Sequence, residues 1–282
     1  MLELICDNRS GKRLEIVIQT YNEEKRIGNL LSYYGKDFDI VLLDDSSTDK
    51  TIELAIKSGA TVFRRLIRTY EQIYENYFVY YVNEVTKSGY SFYLFADEFV
   101  KKKELLIAYE KLKSGECGVI MGRRIEWAYG QRSNVLGGIS LKGLCKGMAI
   151  YDPNSAHSNL KYKELKNIIL NKSVIDVHHL SIYSMKDYFC KASRYISYEI
   201  DVFLKSKYPF RSFLRRYIAA EFKRFLYRTA KDMDKGIRLW LFNNIFWVAI
   251  VSIASLIWME RKYLISPEEQ LKRYADLYKN EL

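Results

Sequence analysis

The chain has 282 residues, of which 49% are hydrophobic and only 3 are proline, which excludes a fibrous, low-complexity or disordered protein. Its formal net charge of +11 indicates an anionic partner: nucleic acid, nucleotide phosphates or an anionic membrane. The N-terminus lacks the pattern of a secretory signal. None of the cysteines has metal-type spacing, so we expect reduced thiols. They are Cys6, Cys117, Cys145 and Cys190.

The first 121 residues alternate between strand-like and helix-like segments. We predict strands at residues 14–19, 39–43, 61–63, 92–97 and 117–121. We predict helices at residues 25–34, 49–58, 70–87 and 102–113. The second helix should have its N-cap at Ser47 or Thr48 and end at Gly59. Such alternation is typical of an α/β fold in which helices flank a mostly parallel sheet.

Three of these strands end in loops rich in carboxylates and hydroxyls. The loops are Thr20-Tyr21-Asn22-Glu23-Glu24, Asp44-Asp45-Ser46-Ser47-Thr48-Asp49 and Ala96-Asp97-Glu98. Open α/β sheets bind ligands at the carboxyl ends of their strands, so these loops predict a polar ligand site. Asp44 and Asp49 alone would fit helix capping, but three acidic loops together favour binding. Asp97 fits a hard divalent cation, which needs only one or two carboxylates besides substrate phosphates.

The rest of the chain differs in character. Residues 122–180 are irregular and glycine-rich, which indicates loops and small strands. Between Lys205 and Lys231 lie nine basic residues and one acid, Glu221, with apolar residues interleaved at helical spacing. This pattern predicts a basic amphipathic helix on an anionic membrane surface.

The segment Leu239–Met259 is mostly apolar and long enough to cross a bilayer, but two asparagines and two serines interrupt it. Three alternatives stay open: a helix in the inner leaflet, a buried helix of a soluble domain, and a transmembrane span. The tail that begins at Ser266-Pro267 has the pattern of a capped, solvated helix.

In order and spacing, the three acidic loops resemble those of family 2 glycosyltransferases with a GT-A nucleotide-binding domain. The chain is further similar to the branch that builds bacterial lipopolysaccharide or lipooligosaccharide cores, through its segment 179–188 and the turn Asp234-Lys235-Gly236. The resemblance is strong over residues 14–100, looser over 175–260 and poor over 122–175. It implies a GT-A catalytic domain over residues 1–200 and a membrane-proximal helical region over residues 201–282.

The resemblance also implies roles for individual residues. Those implied to line the nucleotide pocket are Thr20, Asn22, Glu23, Asp44, Asp45 and Asp49. Asp45 would contact the base, and Asp97 would hold the Mn²⁺ or Mg²⁺ that bridges the diphosphate. His179 matches a position near the metal, while His178 should point to the opposite side of an extended segment. Arg65 is a candidate diphosphate contact, although a solvated basic face fits it equally well.

The base of an inverting reaction must be a carboxylate that takes the acceptor proton. Glu126 is the first candidate and Asp152 the second, and a surface acid is an alternative for each.

The family's metal motif is usually Asp-x-Asp, but Phe95 stands in place of its first Asp. Contacts from that Asp would be lost or replaced by Glu98, which is therefore a candidate ribose or diphosphate contact. An Arg usual in the preceding helix is also not evident.

The resulting hypothesis is an inverting, metal-dependent transferase that moves a sugar from a nucleotide diphosphate to a saccharide on a lipid carrier or lipid A core. It would lie in the cytoplasm against the inner membrane. The alternative is a weak or degenerate GT-A scaffold that binds membrane or nucleic acid. The acidic loops would repel nucleic acid phosphates, so no nucleic acid is expected. A nucleotidyltransferase is disfavoured because no glycine-rich phosphate loop with a Lys is present.

Overall fold

A computed structural model describes residues 2–11, 13–65, 74–128, 130–150, 161–162, 174–182, 190, 210–232, 252, 255–256, 269, 271–272 and 275–276. The chain divides into two units: residues 1–127 with 136–181, and residues 128–135 with 182–282. Four predictions lie wholly or mostly outside the described residues: the domain boundary at residue 200, Asp152, the start of the tail helix at Ser266-Pro267 and Leu239–Met259.

The described residues form eleven strands and five α-helices. The strands are β1 Leu2–Cys6, β2 Glu15–Thr20, β3 Asp39–Asp44, β4 Thr61–Arg65, β5 Tyr90–Phe95, β6 Glu98–Phe99, β7 Val119–Ala128, β8 Gln131–Cys145, β9 Ala149–Ile150, β10 Lys161–Tyr162 and β11 Val174–Ile182. The helices are α1 Ile27–Tyr34, α2 Thr51–Lys57, α3 Tyr74–Tyr80 (continued by a π-helical turn, Tyr81–Val85), α4 Lys102–Lys113 and α5 Phe210–Lys231.

Nine of these strands form one sheet in the order β1-β4-β3-β2-β5-β8-β7-β11-β6. Its centre is parallel, because β2 pairs with β3 and β5, and β3 pairs with β4. Successive side chains of a strand face opposite sides of the sheet. Ile16 and Ile18 of β2 therefore pack into a core with α1, α2 and α4, while Val17 packs with α3. Burial on both faces explains why the central strands are continuous apolar runs.

The predicted α/β fold with flanking helices is confirmed, but the sheet is mixed rather than mostly parallel. On the side away from β2, the neighbour of β5 is β8, which runs antiparallel to it with Tyr90 opposite Cys145. We expected only loops and small strands where β8 lies. Glycine permits close packing there, since a Cβ atom on Gly143 would lie 2.9 Å from Cβ of Ile120. The edge strand β1, antiparallel to β4, was also not predicted.

The helices follow the prediction with local differences. Helix α4 has the predicted bounds, and α2 is followed by Gly59 at a φ of 78°, a left-handed conformation that glycine favours. The predicted N-cap at Ser47 or Thr48 is wrong: α2 begins at Thr51, whose N–H donates to the carboxylate of Asp49. The predicted helix 70–87 is described from Tyr74 onward.

In the second unit, the C-terminal end of α5 is held by the start of β8. Asp232 is 2% exposed and accepts hydrogen bonds from Oγ of Ser133 and N of Asn134, both at 2.7 Å. The Asn134 amide donates to the Lys231 carbonyl at 2.8 Å, which satisfies one of the carbonyls that a helix end leaves unpaired. Among the described helices, none is both long enough and apolar enough to cross a bilayer.

Candidate active site

The loop after β3 folds around the carboxylate of Asp44. This buried group accepts hydrogen bonds from Oγ1 of Thr20 at 3.0 Å and from N and Oγ of Ser47 at 2.7 and 2.5 Å. Ser46 adopts a left-handed φ of 61° within the turn, a conformation that costs a non-glycine residue about 1–3 kcal/mol. The geometry therefore supports a loop-shaping role for Asp44 and Thr20 more directly than the predicted nucleotide contact.

The loops after β2 and β3 bind each other by reciprocal hydrogen bonds. The N–H of Asn22 donates to Oγ of Ser47 at 2.8 Å, and the N–H of Thr48 donates to Oδ1 of Asn22 at 2.8 Å. Asn22 has a positive φ of 54°, which asparagine tolerates better than most residues. This pairing brings the predicted pocket residue Asn22 against the acidic loop.

Glu23 and Asp49 extend the same link between the loops. Glu23 forms an ion pair with Arg26 at 2.6 Å, and its backbone N–H donates to Oγ1 of Thr51 at 2.8 Å. Asp49 accepts hydrogen bonds from Thr51 and from the N–H of Glu24. Burial alone would raise the pKa of Asp49, but these hydrogen bonds outweigh it and lower the pKa below its ordinary value.

Asp45 and Arg65 form a buried ion pair at the ends of β3 and β4. Nε of Arg65 lies 2.5 Å from Oδ1 of Asp45, and the two side chains are 3% and 1% exposed. The guanidinium lies over the ring of Tyr77, 4.6 Å from its centroid. This contact with α3 places the pair on the α3 side of the sheet. Asp45 and Arg65, both predicted to contact the ligand, are therefore adjacent, and each neutralises the charge of the other in the free protein.

Asp97, His179 and Glu126 meet at the end of β5. Nε2 of His179 lies 3.4 Å from Oδ2 of Asp97, and its Nδ1 lies 2.7 Å from Oε2 of Glu126. The Leu180 N–H donates to the Asp97 carbonyl at 2.7 Å, which ties β11 to this turn. Burial alone would lower the pKa of His179, but the two carboxylates outweigh it and raise the pKa above its ordinary value.

The adjacent His178 lies on the other face of β11, as the alternation of strand side chains predicted. Its Nδ1 accepts a hydrogen bond from the Trp127 indole N–H at 3.0 Å. Its ring stacks on Phe99 with centroids 4.7 Å apart. His178 is therefore a packed residue, and His179 is the histidine that faces Asp97.

A second buried ion pair lies beside Phe95, where the resemblance predicted an Asp. Nζ of Lys142 lies 2.5 Å from Oε2 of Glu98, and both side chains are 1% exposed. The Glu98 carboxylate also accepts a hydrogen bond from the N–H of Phe95 at 3.0 Å. A Cβ atom on Gly122 would lie 2.4 Å from Cγ of Lys142, so glycine makes room for the lysine stem. Glu98, a candidate ribose or diphosphate contact, is thus engaged inside the protein.

Asp97 and His179 together provide a carboxylate oxygen and an imidazole nitrogen for a cation. Glu126 contacts the other ring nitrogen and would fix the orientation of the imidazole, as carboxylates commonly do for histidines that ligate a metal. Within the described residues, no group of three or more His, Cys, Asp or Glu side chains could hold a metal by itself. The residues fit Mn²⁺ or Mg²⁺ if substrate phosphates complete the coordination, which is usual for these ions.

The structure thus brings together most of the predicted site residues at one edge of the sheet. Asp152, the second candidate base, lies outside the described residues. Lys142 was missed, because a lysine within a strand carries no motif that would indicate an ion pair. Gln19, a polar residue at the end of an apolar strand, was visible in the sequence but was not singled out.

Comparison with known proteins gives a family and several relatives. The family model for "Glycosyl transferase family 2" matches residues 15–189. A stretch of 58 residues is 43% identical to 4,4'-diaponeurosporenoate glycosyltransferase of Staphylococcus aureus, covering 20% of this chain and 16% of that protein.

Two solved structures match parts of the chain. Glucosyl-3-phosphoglycerate synthase from Mycobacterium tuberculosis, in complex with Mn²⁺, uridine-diphosphate and glucosyl-3-phosphoglycerate, is 20% identical with a TM-score of 0.34, over 42% of this chain and 46% of that chain. TarS of S. aureus is 15% identical with a TM-score of 0.40, over 70% of this chain and 40% of that chain. The matches span less than half the length of each of these relatives.

Proposed function

Because the chain belongs to glycosyl transferase family 2, we propose that it is an inverting, metal-dependent glycosyltransferase that uses a nucleotide diphosphate sugar as donor. One observation carries the proposal: Asp45 and Arg65 pair at the ends of β3 and β4, and Asp97, which pairs with His179, follows β5 at the same carboxyl edge of the sheet. Such a transferase must bind a nucleoside and neutralise a diphosphate leaving group. The two pairs offer one group of residues for each task.

The donor pocket is proposed at the loops after β2 and β3. Its proposed residues are Thr20, Asn22, Glu23, Asp44, Asp45 and Asp49. Asp45 would contact the base, while the hydrogen bonds of Asp44, Asn22 and Asp49 hold the pocket wall in shape. Arg65 would contribute positive charge to the diphosphate when Asp45 turns to the nucleoside.

The leaving group is proposed to bind beside Asp97. Asp97 and His179 would hold Mn²⁺ or Mg²⁺, and that cation would neutralise the charge on the departing diphosphate. Glu126 contacts Nδ1 of His179, so the geometry supports a role for Glu126 in orienting the imidazole. Its role as the base that takes the acceptor proton stays a prediction, as does that of Asp152.

A thermal-shift screen against nucleotide diphosphates and their sugars, with and without Mn²⁺, tests this proposal. A ligand that binds only the native state raises the unfolding temperature. We expect a metal-dependent rise with one nucleotide, abolished by Asp97→Asn and reduced by Asp45→Asn. Asp37→Asn is the matched control, because Asp37, two residues before β3, is an exposed carboxylate that pairs with Lys102. No shift with any donor would favour a degenerate scaffold instead.

The acceptor is proposed to be a saccharide on a lipid carrier or lipopolysaccharide core at the inner face of the cytoplasmic membrane. Helix α5 supports this, because it carries seven basic residues and one acid. Its side chains Phe222, Leu226 and Tyr227 are 45%, 51% and 52% exposed, which suits insertion among lipid headgroups. Each basic residue near an anionic surface contributes about 1 kcal/mol to binding.

Sedimentation with vesicles tests the membrane part separately. We expect binding to phosphatidylglycerol vesicles at low salt, little binding to phosphatidylcholine, and a clear loss with Lys223→Glu/Lys231→Glu. Lys57→Glu/Lys113→Glu is the matched control, since it changes the net charge equally on exposed lysines outside α5. Equal loss in both double variants would show that net charge, rather than α5, determines binding.

A further inference from the structure

Gln19 is a buried amide whose side chain makes no hydrogen bond with the described residues. It is the penultimate residue of β2, and its side chain is 4% exposed. Within the part of the chain that the structure describes, neither its Oε1 nor its Nε2 makes a hydrogen bond. An unsatisfied buried polar group costs about 1–3 kcal/mol, and such groups in a native protein require an explanation. An apolar side chain of the same length would avoid this cost.

The register of the sheet places Gln19 directly below the donor site. Its partners are Leu43 on β3 and Phe95 on β5, and Leu43 is in turn opposite Phe63 on β4. Residues paired across a sheet share a face, so Gln19 is the polar member of an apolar row. Val17, two residues earlier on the same face, packs into the core with α3.

The next row toward the carboxyl edge holds the Asp45–Arg65 pair. Asp45 follows Leu43 by two residues and Arg65 follows Phe63 by two, which corresponds to about 6.6 Å along a strand. Their contact with Tyr77 of α3 shows that they lie on the same face as Gln19. The unsatisfied amide therefore lies one row beneath the charged groups that we assign to the nucleoside.

We propose that Gln19 is a specificity-determining residue that reads the base of the donor nucleotide, an inference that rests on the proposed function. A primary amide presents one acceptor and two donor hydrogens, and the edge of a nucleobase presents donors and acceptors side by side. Asp45, by contrast, offers only acceptors when ionised. Gln19 would give the pocket a donor, so the two residues together could distinguish one base from another. Sites built to hydrogen-bond a ligand discriminate strongly against ligands that leave their polar groups unpaired.

The substitution Gln19→Met tests the proposal, because it keeps the length of the side chain and removes its polar atoms. We would measure the unfolding temperature of the free protein and the affinity for UDP, GDP, ADP, CDP and dTDP with Mn²⁺. We expect an unfolding temperature equal to or above that of the wild type. We also expect at least a tenfold loss of affinity for the preferred nucleotide and weaker discrimination among the five. Affinity for inorganic pyrophosphate, which has no base, should not change.

Gln131→Met is the control, since it makes the same chemical change outside this row. It should leave all nucleotide affinities as they are. Wild-type affinities in Gln19→Met would overturn the inference alone, and so would a lower unfolding temperature, because that result would mean that the amide has a partner within the protein. If the wild type binds none of the five nucleotides, the proposed function fails together with the inference.

Discussion

In the parallel part of the sheet, the amino and carboxyl edges differ in how some of their buried carboxylates are satisfied. At the amino edge, Asp39 begins β3, and its Oδ2 accepts hydrogen bonds from N and Oγ of Ser10 and from N of Gly11, at 2.9, 2.8 and 3.2 Å. All of these donors are uncharged, and they fix the segment that precedes β2. Asp39 therefore joins two parts of the fold through its Oδ2 atom.

Glu15, which begins β2, is satisfied in the same way. It accepts hydrogen bonds from the hydroxyls of Tyr81 and Thr86 at 2.5 and 2.8 Å and from the N–H of Lys87 at 2.9 Å. Burial raises the pKa of Tyr81 well above its ordinary value, and the charge of Glu15 adds to the effect. Tyr81 thus stays a neutral donor, and this acid too has a structural role.

At the carboxyl edge, Asp44 also has uncharged donors, but the partners of Asp45 and Asp97 are the ionisable side chains Arg65 and His179. A side chain can turn from its partner to a ligand, whereas a backbone N–H within a folded segment cannot. Burial of a carboxylate therefore does not by itself indicate a binding site. The kind of partner separates structural acids from candidate ligand contacts, and the following variants test that distinction.

The largest expected effect concerns the Glu98–Lys142 pair, which lies at the carboxyl edge but is fully enclosed. Removing one member of a buried ion pair costs about 3–5 kcal/mol, because the remaining charge loses its close partner. Arg124, 3.8 Å from Oε1 of Glu98 and 37% exposed, is a more distant partner that Glu98 keeps. We expect this loss in the free energy of unfolding for Lys142→Met, measured by urea denaturation. The double variant Glu98→Gln/Lys142→Met should recover much of it. A single variant as stable as the wild type would show that the pair is not buried.

A smaller effect is expected from Asp39→Ala at the amino edge. Three donors then lose their acceptor, and the free energy of unfolding should fall by about 1–3 kcal/mol. Affinity for the donor nucleotide, measured by calorimetry, should stay at the wild-type value. The control is Asp37→Ala, an exposed site where we expect a change within about 0.5 kcal/mol. Weaker nucleotide binding by Asp39→Ala would remove the distinction between the two edges.

The smallest effect is expected from Asp49→Asn and depends on pH. The pKa of Asp49 is lowered in the folded protein, so its carboxylate stabilises the fold above the unfolded pKa near 3.8. This contribution is lost as pH falls through the folded pKa. The stability difference between wild type and variant should be constant near neutral pH, at about 1 kcal/mol or less, and should shrink below about pH 4. Urea denaturation across pH would show a constant difference if Asp49 were not involved.

Part of this fold was predictable because its signals are local. Strands β2, β3 and β5 are buried on both faces and form continuous apolar runs, and Gly59 indicated the end of α2. The antiparallel strand β8 was not predictable in this way. Its glycines read as loop residues, yet Gly143 serves to let Ile120 and Phe92 approach closely. That need arises from the neighbouring strands and cannot be read from residues 131–145 alone.

The candidate site shows the same limit. Acidic loops after three strands predicted that Asp45 and Asp97 would lie at one edge, because parallel strands end there together. The pairing of Glu98 with Lys142 and the unsatisfied amide of Gln19 depend on strands far apart in sequence. Such contacts follow from the register of the sheet, which hydrophobic patterns do not determine.

Calorimetric titration of Asp97→Asn and Asp39→Ala, each compared with the wild type, would measure directly whether the two edges differ in function. The titrant would be the nucleotide diphosphate found in the thermal-shift screen, with and without Mn²⁺. We predict that Asp97→Asn loses the metal-dependent part of nucleotide binding while keeping its stability, and that Asp39→Ala loses stability while keeping metal-dependent binding. Unchanged metal-dependent binding by Asp97→Asn would contradict the assignment of the carboxyl edge as the donor site.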